Sequence, residues 1–249
     1  MNETNTMEWQ TLLQESAAAM GVSLSAGMTA QFMQYMQLLL EWNEKMNLTA
    51  ITDPREIVLK HFADSLTPLA VPRLGLDVSA PLHVADIGTG AGFPGLPLQI
   101  AAPAWRVALM DALQKRVGFL AHVTATLGMA NAECLHVRAE DAGCAEVHRE
   151  QYDVVVSRAV ARMQVLAEYA LPLVAVGGKF IALKGPAADE EIEEAAIAIG
   201  RLGGVLAAVE DVAIPFTDLR HKLVVIQKER QTPATFPRKA AQMAKTPIK

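Results

Sequence analysis

Residues 83–95 read HVADIGTGAGFPG, a short apolar run followed by a turn with four glycines. The next residues, 95–102, are predicted to be helical. A strand, a glycine-rich turn and a helix, in that order, form the first unit of an open α/β sheet, in which ligands bind at the carboxyl ends of the strands. Glycines at that place let the backbone approach a ligand closely and adopt positive φ.

Strand-like and helix-like segments alternate through the rest of the chain. The predicted strands are 82–87, 106–110, 133–137, 153–157, 179–183, 205–212 and 222–227, and the predicted helices are 95–102, 113–127, 162–175 and 188–202. Near-continuous apolar strands that alternate with helices indicate a parallel sheet covered on both faces. No helix separates the last two strands, so we expect those two to pair antiparallel.

The first seventy residues are predicted to be helical. One apolar stripe recurs at spacings of three and four, as on a helix face: Phe32, Tyr35, Met36, Leu39, Trp42 and Met46. A further helix is predicted to begin at Asp53-Pro54, with Asp53 as its cap and Glu56 reaching back to it, and to end near Thr67. We therefore expect a helical region 1–72 that packs on the core, an α/β core 73–230 and a basic tail 231–249.

The composition of the 249 residues excludes several classes of protein. Hydrophobic residues make up 51% and charged residues 20%, so most of the chain is expected to fold. The two cysteines cannot by themselves form a disulfide framework or a zinc cage, and the histidines lack metal-ligand spacing. No apolar run reaches the ~18 residues of a membrane span, and residues 1–10 are too polar for a signal peptide. A soluble cytoplasmic protein without a membrane anchor or a metal site is expected.

Charge is distributed unevenly along the chain. The net charge is −5, yet residues 228–249 contain six basic residues and one acidic residue. That stretch carries +5 and the residues before it carry −10. An acidic body with a basic tail is typical of a tail that contacts a polyanion, although a solvated terminus without a partner has the same pattern. Prolines at 233, 237 and 247 favour an extended tail that could follow a phosphate backbone.

Two classes of cofactor fit the glycine turn. Residues 90–95 satisfy G-x-G-x-x-G, the pattern of dinucleotide binding. However, Asp86 stands two residues before the first glycine, which gives D-x-G-x-G-x-G. A carboxylate there suits a ligand with a positively charged amino-acid end, such as S-adenosylmethionine, whereas a pyrophosphate favours a helix N-terminus without a neighbouring carboxylate. Asp86, Gly88 and Gly90 are therefore candidate cofactor residues.

Acidic residues also follow the next two predicted strands. Asp111 ends the second strand, where a carboxylate can accept hydrogen bonds from ribose hydroxyls, or can instead cap the following helix. Ala139-Glu140-Asp141 follow the third strand, where an acidic side chain either meets an adenine amino group or caps a turn. Asp111 supports a nucleoside cofactor without choosing between NAD and S-adenosylmethionine.

The glycine turn and several further motifs resemble those of one known family. Residues 86–100 read DIGTGAGFPGLPLQI. The accompanying motifs are Trp42-Asn43, Asn47-Leu48-Thr49, His61, Asp64-Ser65, Val156-Ser157-Arg158-Ala159, Ala182-Leu183-Lys184-Gly185, Arg220-His221 and Leu223-Val224-Val225-Ile226. The set covers nearly the whole chain and is similar to the bacterial ribosomal RNA small subunit methyltransferase G family, also called glucose-inhibited division protein B.

The resemblance implies a fold, a reaction and a set of contacts. The fold is a Rossmann-like class I methyltransferase with a seven-stranded, mostly parallel sheet and an N-terminal helical extension. The reaction is methylation of nitrogen 7 of a guanine in 16S ribosomal RNA, with S-adenosylmethionine as donor and 16S ribosomal RNA or a precursor of the small ribosomal subunit as partner. Carried onto this chain, the family's cofactor contacts fall on Gly88, Phe93, Ala139, Glu140 and Arg158.

Arg158 is also the candidate catalytic residue, because it is predicted to end strand four beside the cofactor. Nitrogen 7 of guanine has an unprotonated lone pair at neutral pH, so the reaction needs proximity and orientation rather than a general base. His61 and Asp64 are predicted either to face the RNA or the cofactor, or to hydrogen-bond their helix to the core.

The tail supplies the candidates for RNA contacts, which are Arg238, Lys239 and Lys245. The family usually follows its Pro-Arg-Lys motif closely with Gly-Thr-Pro, whereas here residues 240–244 intervene before the lysine of the Lys-Thr-Pro sequence.

Two other functions are compatible with parts of the sequence. The G-x-G-x-x-G pattern allows an NAD-dependent oxidoreductase. The basic tail on an inert scaffold of the same fold allows a non-catalytic RNA-binding module.

Overall fold

Seven strands form one sheet in the structure, a computed structural model that describes residues 3–248. The strands are β1 (His83–Ile87), β2 (Arg106–Asp111), β3 (Ala132–His136), β4 (Tyr152–Arg158), β5 (Val174–Lys184), β6 (Gly204–Ala213) and β7 (Arg220–Lys228). Their order across the sheet is β3-β2-β1-β4-β5-β7-β6. The strand order reverses between β1 and β4, and this reversal is where open α/β sheets bind their ligands.

The sheet is mostly parallel, as predicted. The pairs β1–β2, β1–β4, β2–β3 and β4–β5 are parallel, whereas β5–β7 and β6–β7 are antiparallel. The predicted antiparallel pairing of the last two strands is therefore confirmed. The sequence did not predict that β7 inserts between β5 and β6. Residues 223–226 of β7 are all buried, because both faces of the sheet are covered at this strand.

Helices precede the sheet and cover it. They are α1 (Glu3–Ala19), α2 (Ala26–Met46), α3 (Pro54–Glu56), α4 (Asp64–Leu66), α5 (Gly95–Ala101), α6 (Gln114–Thr126), α7 (Ala139–Cys144), α8 (Met163–Ala170), α9 (Asp189–Arg201) and α10 (Ala240–Lys245). A π-helical segment, Ile57–Ala63, joins α3 to α4, and short 3-10 helices follow at Thr67–Ala70 and Pro72–Leu74.

The predicted helix from Asp53 is present but changes its winding along its length. Asp53 caps it by accepting the Glu56 N–H at 2.9 Å. The carboxylate of Glu56 pairs with Lys60 at 2.5 Å rather than reaching back to the cap.

One predicted helix boundary is wrong. The sequence predicts a helix over 162–175 and a strand only from 179, but α8 ends at Ala170 and β5 begins at Val174. Val174 pairs with Tyr152, and the register shifts between Tyr152 and Val154. Because the residues around 171–176 are continuously apolar, their pattern does not distinguish a buried strand from a buried helix.

Two hydrophobic clusters lie on opposite faces of the sheet, because successive side chains of each strand alternate between the faces. One cluster contains Val84 and Leu109 together with Phe32 and Tyr35 of α2. The other contains Ala85, and it includes residues of α8 and α9. The N-terminal helices thus pack against the sheet through the first cluster.

The tail packs on the second cluster, so the prediction of an extended tail is wrong. Met243 of α10 and Ile248 are only 0% and 4% exposed. Arg149 donates hydrogen bonds to the carbonyls of Thr232 at 2.6 Å and Phe236 at 2.8 Å. These long-range contacts were not visible in the proline pattern of the sequence. Lys249 lies outside the described residues.

Arg238 anchors the tail to α8. Its Nε and Nη2 donate to the two carboxylate oxygens of Glu168 at 2.8 Å and 2.7 Å. Glu168 is 1% exposed, so the pair is largely removed from solvent.

Among residues 3–248, no helix has the length and apolar content needed to cross a lipid bilayer.

We predict that Glu168→Gln lowers the free energy of unfolding by about 1.5–3 kcal/mol, the range for hydrogen bonds to charged groups. The matched control is Glu194→Gln, which removes an exposed ion pair with Arg162. The side chains of Arg162 and Glu194 are 62% and 48% exposed, so this substitution should lower the free energy of unfolding by less than about 1 kcal/mol. Urea denaturation measures both. Equal losses in the two variants would show that the tail anchor contributes no more than a surface ion pair.

Candidate active site

The glycine turn joins β1 to α5, and the buried carboxylate of Asp86 closes it. Asp86 Oδ2 accepts hydrogen bonds from the Thr89 hydroxyl at 2.6 Å and from the Gly95 N–H at 2.7 Å. A Cβ atom at residue 95 would lie 2.8 Å from the same oxygen and 2.5 Å from Leu109 Cδ2. Only glycine therefore allows the start of α5 to approach β1 and β2 this closely.

Asp111, at the end of β2, supports the middle of the same turn. Its Oδ2 accepts the Gly90 N–H at 3.0 Å, and its Oδ1 accepts the Leu113 N–H at 2.8 Å. The Leu113 contact closes a tight turn before α6, whose N-cap is Leu113 and which has no side-chain cap, so the predicted role of Asp111 as the helix cap is wrong, while its contact with a ribose stays a prediction. Gly90 has φ +62°, and a Cβ there would meet nothing closer than the Gly88 carbonyl at 4.0 Å. The turn therefore presents open space beside two carboxylates.

Asp86 keeps one carboxylate oxygen free. Its Oδ1 has no hydrogen-bond partner among the described residues, although the residue is 0% exposed. Burial raises the pKa of Asp86 to about 7, against the hydrogen bonds from Thr89 and Gly95, which lower it. A buried carboxylate of this kind is stabilised by a ligand that brings a donor or a positive charge. The turn therefore suits a cationic ligand group better than a phosphate.

The start of α5 offers little to a pyrophosphate. Its first N–H, from Gly95, is already donated to Asp86. A dinucleotide site uses such N–H groups and the positive end of the helix dipole for the phosphates. The carboxylate of Asp86 therefore disfavours the dinucleotide interpretation of residues 90–95.

The loop after β3 lies beside the loop after β2. Val137 donates its N–H to the Asp111 carbonyl at 3.2 Å. α7 then begins at Ala139 with Glu140 in its first turn. Because β3, β2 and β1 are adjacent and parallel, the candidate cofactor residues that follow them lie along one edge of the sheet.

Arg158 ends β4, next to β1, and its guanidinium lies against the glycine turn. Its Cζ is 4.9 Å from the centroid of the Phe93 ring, which also stacks on His61 at 4.5 Å. Its Nη1 donates to Asp64 Oδ2 at 2.8 Å and to the Lys60 carbonyl at 3.2 Å. The structure thus brings the predicted residues Phe93 and Arg158 together. Both terminal nitrogens of the Arg158 guanidinium have protein partners, and the side chain is 17% exposed.

The segment after Arg158 lies over the glycine turn. A Cβ atom at Gly88 would be only 2.7 Å from Val160 Cγ2. Residues 158–160 therefore border the place where Gly88 was predicted to contact a cofactor.

Asp64, Arg158, His61 and His221 form a group that we call the Asp64 cluster. Asp64 is 1% exposed, and its Oδ1 accepts a hydrogen bond from His221 Nδ1 at 2.5 Å. His61 Nε2 lies 2.8 Å from the Thr49 hydroxyl, and His61 Nδ1 lies 3.4 Å from Arg158 Nη2. Of the two predicted roles for Asp64, the hydrogen bond between helix and core is therefore the one it performs.

The charges in the Asp64 cluster follow from its contacts. Burial raises the pKa of Asp64, but the hydrogen bond from His221 and the charge of Arg158 outweigh it and hold the pKa below its ordinary value. The hydrogen bond to Asp64 raises the pKa of His221 in spite of partial burial. Burial, with the charge of Arg158, lowers the pKa of His61 to about 4, so this imidazole is neutral at pH 7.

The sequence does not predict a site role for two residues of this region, Tyr35 and His221. Tyr35 of α2 is fully buried and donates its hydroxyl to the Ala91 carbonyl in the glycine turn. Its only signal in the sequence is its place in the apolar stripe of α2. His221 was noted only as part of a motif, and its partner Asp64 is 157 residues away in the chain.

Among residues 3–248, no group of three or more His, Cys, Asp or Glu side chains is arranged to hold a metal ion.

Comparison with known proteins places the chain among bacterial relatives of one kind. The family described as rRNA small subunit methyltransferase G matches residues 28–218. The chain is 49% identical to the ribosomal RNA small subunit methyltransferase G of Desulforamulus reducens, over 95% of this chain and 97% of that protein. It is 45% identical to the protein of the same name from Alkaliphilus metalliredigens, over 98% of this chain and 100% of that one.

Solved structures of other proteins share the fold at low sequence identity. TrmN from Thermus thermophilus aligns with a TM-score of 0.50 at 18% identity, over 69% of this chain and 53% of that one. A putative transferase from Pyrococcus horikoshii aligns with a TM-score of 0.50 at 14% identity, over 63% and 62% of the two chains.

We predict that the ion pair between Asp64 and His221 stabilises the fold in a limited pH window. The raised pKa of His221 adds stability that is complete below about pH 6.5 and is lost as the pH rises through the folded-state pKa. The lowered pKa of Asp64 adds stability that is present above about pH 3.9 and is lost below it. The stability advantage of the wild type over His221→Asn should therefore be largest between about pH 4 and 6.5 and should shrink towards pH 8.5.

Urea denaturation across this pH range measures the effect. In an Asp64→Asn background, the same comparison should lose its pH window. A stability difference that stays constant from pH 5 to 8.5 would contradict the ion pair.

Proposed function

The chain belongs to the rRNA small subunit methyltransferase G family, and from this premise we propose that it transfers a methyl group from S-adenosylmethionine to nitrogen 7 of a guanine in 16S ribosomal RNA. The observation that carries the proposal is the pair of carboxylates, Asp86 and Asp111, that support one glycine turn. The substrate is 16S ribosomal RNA or a precursor of the small ribosomal subunit, and the cytoplasm is where the enzyme acts.

The residues at the glycine turn fit the parts of this cofactor. Burial raises the pKa of Asp86 to about 7, and a cationic amino-acid end beside its unpartnered oxygen would lower that pKa and stabilise the charged carboxylate as a counter-charge. The open space at Gly90 admits a ligand close to the backbone. Asp111 faces the same turn from β2, where carboxylates accept hydrogen bonds from ribose hydroxyls. Gly88, Phe93, Ala139 and Glu140 complete the proposed set along this edge of the sheet.

The bound cofactor supplies a methyl group on a positively charged sulfur. The chain's part is to bind the two substrates, to exclude water and to hold the acceptor nitrogen in line with that methyl group. Since nitrogen 7 of guanine carries a lone pair and no proton, no side chain has to remove a proton before the transfer.

Arg158 is proposed to organise the site rather than to react. Its contacts with Asp64, Lys60 and Phe93 fix the end of β4 against the glycine turn. A guanidinium that bound both acceptors on the Hoogsteen edge of guanine would occupy nitrogen 7 itself. The fixed contacts of Arg158 within the protein support a role in shaping the cleft.

The tail is proposed to contact RNA through two of its three candidate residues. Lys239 and Lys245 are exposed, so their ammonium groups are accessible to phosphates. Arg238 was the third candidate, but its guanidinium is bound to Glu168 and to the Thr246 carbonyl. We therefore assign Arg238 to anchoring the tail and keep Lys239 and Lys245 as the RNA-binding candidates.

Mass spectrometry of nucleosides from small-subunit RNA tests the proposed reaction. Cells that contain the wild-type protein should yield 7-methylguanosine at one position that is unmethylated in cells without it. Gly90→Asn is the matched inactive variant, because asparagine tolerates the left-handed backbone at this turn while its side chain fills the open space. Circular dichroism checks that this variant is folded. A small-subunit RNA with unchanged 7-methylguanosine in all three strains would reject the proposal.

We further predict that Asp111→Ala weakens cofactor binding by about 1–3 kcal/mol, because charge-assisted hydrogen bonds are lost. The ribose lies away from the transferred methyl group, so the loss should raise the KM for the donor and leave kcat nearly unchanged. Calorimetry with S-adenosylhomocysteine and steady-state kinetics measure the two effects.

Asp111→Asn separates the two roles of this carboxylate. The amide oxygen can still accept the Gly90 N–H, so a smaller loss than in Asp111→Ala would assign part of the effect to the turn itself. A collapse of kcat with unchanged donor affinity would show that Asp111 does not bind the ribose.

A further inference from the structure

A cavity of about 350 Å³ opens beside the Asp64 cluster. It lies where β4 and β5 end and β7 begins. Its walls include Lys60, His61, Arg158, Leu183, Lys184 and His221. None of the described residues that line it is acidic, although the whole chain has a net charge of −5. The cavity therefore offers hydrogen-bond donors to a ligand that is rich in acceptors.

The cavity adjoins the proposed cofactor site. Arg158 borders both, because it lines the cavity and also lies over the ring of Phe93 in the glycine turn. Ala159 lines the cavity, and its neighbour Val160 lies against Gly88. The residues that end β4 therefore line the cavity and contact the glycine turn, so a group held in the cavity lies next to the proposed cofactor site.

Most of the nitrogen atoms that face this cavity are already bound to protein groups. Lys184 Nζ binds the Glu191 carboxylate at 2.7 Å and the Ala161 carbonyl at 3.0 Å. Lys60 Nζ binds Glu56 at 2.5 Å. Both ring nitrogens of His61 have partners, and Arg158 is held by Asp64. These side chains shape the cavity, and each of these nitrogen atoms has a protein partner.

His221 differs because its outer nitrogen is free. Its Nδ1 donates to Asp64 at 2.5 Å, which fixes the orientation of the ring. Its Nε2 has no hydrogen-bond partner among residues 3–248, while the side chain is 25% exposed and lines the cavity. The hydrogen bond to Asp64 also raises the pKa of His221, which favours a proton on both nitrogens. His221 therefore presents Nε2 in a fixed position to whatever occupies the cavity, and this nitrogen is an N–H donor when the ring is protonated.

A single N–H donor at the position of Nε2 matches oxygen 6 of guanine. The Hoogsteen edge of guanine has two acceptors, nitrogen 7 and oxygen 6, whereas adenine has an amino group at position 6. A single N–H that binds oxygen 6 leaves the lone pair of nitrogen 7 free to react, and it meets a donor rather than an acceptor in adenine.

We propose that the cavity takes the acceptor guanine and that Nε2–H of His221, oriented by Asp64, donates a hydrogen bond to its oxygen 6. His221 is then a specificity residue that contacts the substrate, and Asp64 is a positioning residue that acts through it. This inference rests on the proposed guanine methylation and adds the residue that selects the base.

The test measures three enzymes, the wild type and two variants of His221, with two RNAs. The target guanine, located by the mass spectrometry above, is replaced by 2-aminopurine, which keeps nitrogen 7 and the 2-amino group but has hydrogen in place of oxygen 6. Single-turnover methyl transfer from labelled S-adenosylmethionine is measured for both RNAs. The intrinsic difference in reactivity between the two bases cancels when the ratio of rates is compared between enzymes.

Two substitutions separate the two nitrogens of His221. The amide of His221→Asn can replace Nδ1 and keep the bond to Asp64, but it has no donor at the position of Nε2. The longer amide of His221→Gln can place an N–H near the position of Nε2. The ratio of the guanine rate to the 2-aminopurine rate should be about 10- to 100-fold larger in the wild type than in His221→Asn, the factor for one hydrogen bond that involves a charged group. In His221→Gln the ratio should recover in part towards the wild-type value.

Two outcomes would overturn the inference, and they are distinguishable. If His221→Asn keeps the wild-type ratio while the wild-type enzyme methylates guanine normally, His221 does not read oxygen 6 and the proposed function stands. If the wild-type enzyme does not methylate the guanine RNA at all, the proposed function fails, and the inference fails with it.

Discussion

A buried negative charge, the carboxylate of Asp64, joins three parts of the chain that are distant in sequence. Its partners Arg158 and His221 are 94 and 157 residues away. Loss of either partner would leave this buried charge incompletely paired, so the two ion pairs hold the helical segment that carries Asp64 at the end of β4 and the start of β7. Apolar packing alone would bury this helical segment without fixing its rotation about the helix axis. The ion pairs hold the segment in one position, and in that position its residues Lys60 and His61 form one wall of the cavity.

A second buried carboxylate, that of Asp86, shapes the cofactor side of the sheet. Asp86 is buried at the end of β1, and its bonds to Thr89 and Gly95 turn the chain into α5. Tyr35 of α2 binds the Ala91 carbonyl from the other side of the turn. The helical residues before the sheet are therefore part of the site, because the turn has its shape only when α2 is packed against it. This contact also explains why a buried tyrosine stands in a stripe that otherwise serves apolar packing.

The sequence predicts the parts of this structure that depend on local patterns. The seven strands, the glycine turn and the cap at Asp53 each depend on residues within a few positions of one another, and all are present. What it did not predict depends on distant partners. The insertion of β7 beside β5 is a choice among sheet edges that no local pattern encodes. The tail was expected to be extended because of its prolines, yet the pair of Arg238 with Glu168, 70 residues away, holds it on α8.

Because some of the tail's basic side chains are paired within the fold, fewer of them are available to bind RNA. Of the basic residues from 228 onwards, Lys228 is 1% exposed and pairs with Glu150, and Arg238 pairs with Glu168. These two positive charges are compensated within the fold, so the excess of +5 in the sequence overstates what a phosphate backbone can meet. A body with an excess of acidic residues repels RNA at long range and attracts it only where cations are concentrated. The basic side chains that line the cavity beside Arg158 are paired with carboxylates as well, so this cavity offers a base the free nitrogen of His221 more than it offers a phosphate backbone a concentrated positive charge. Recognition would then depend on the fit of one extruded base more than on the number of phosphate contacts, and affinity for RNA in general would be low.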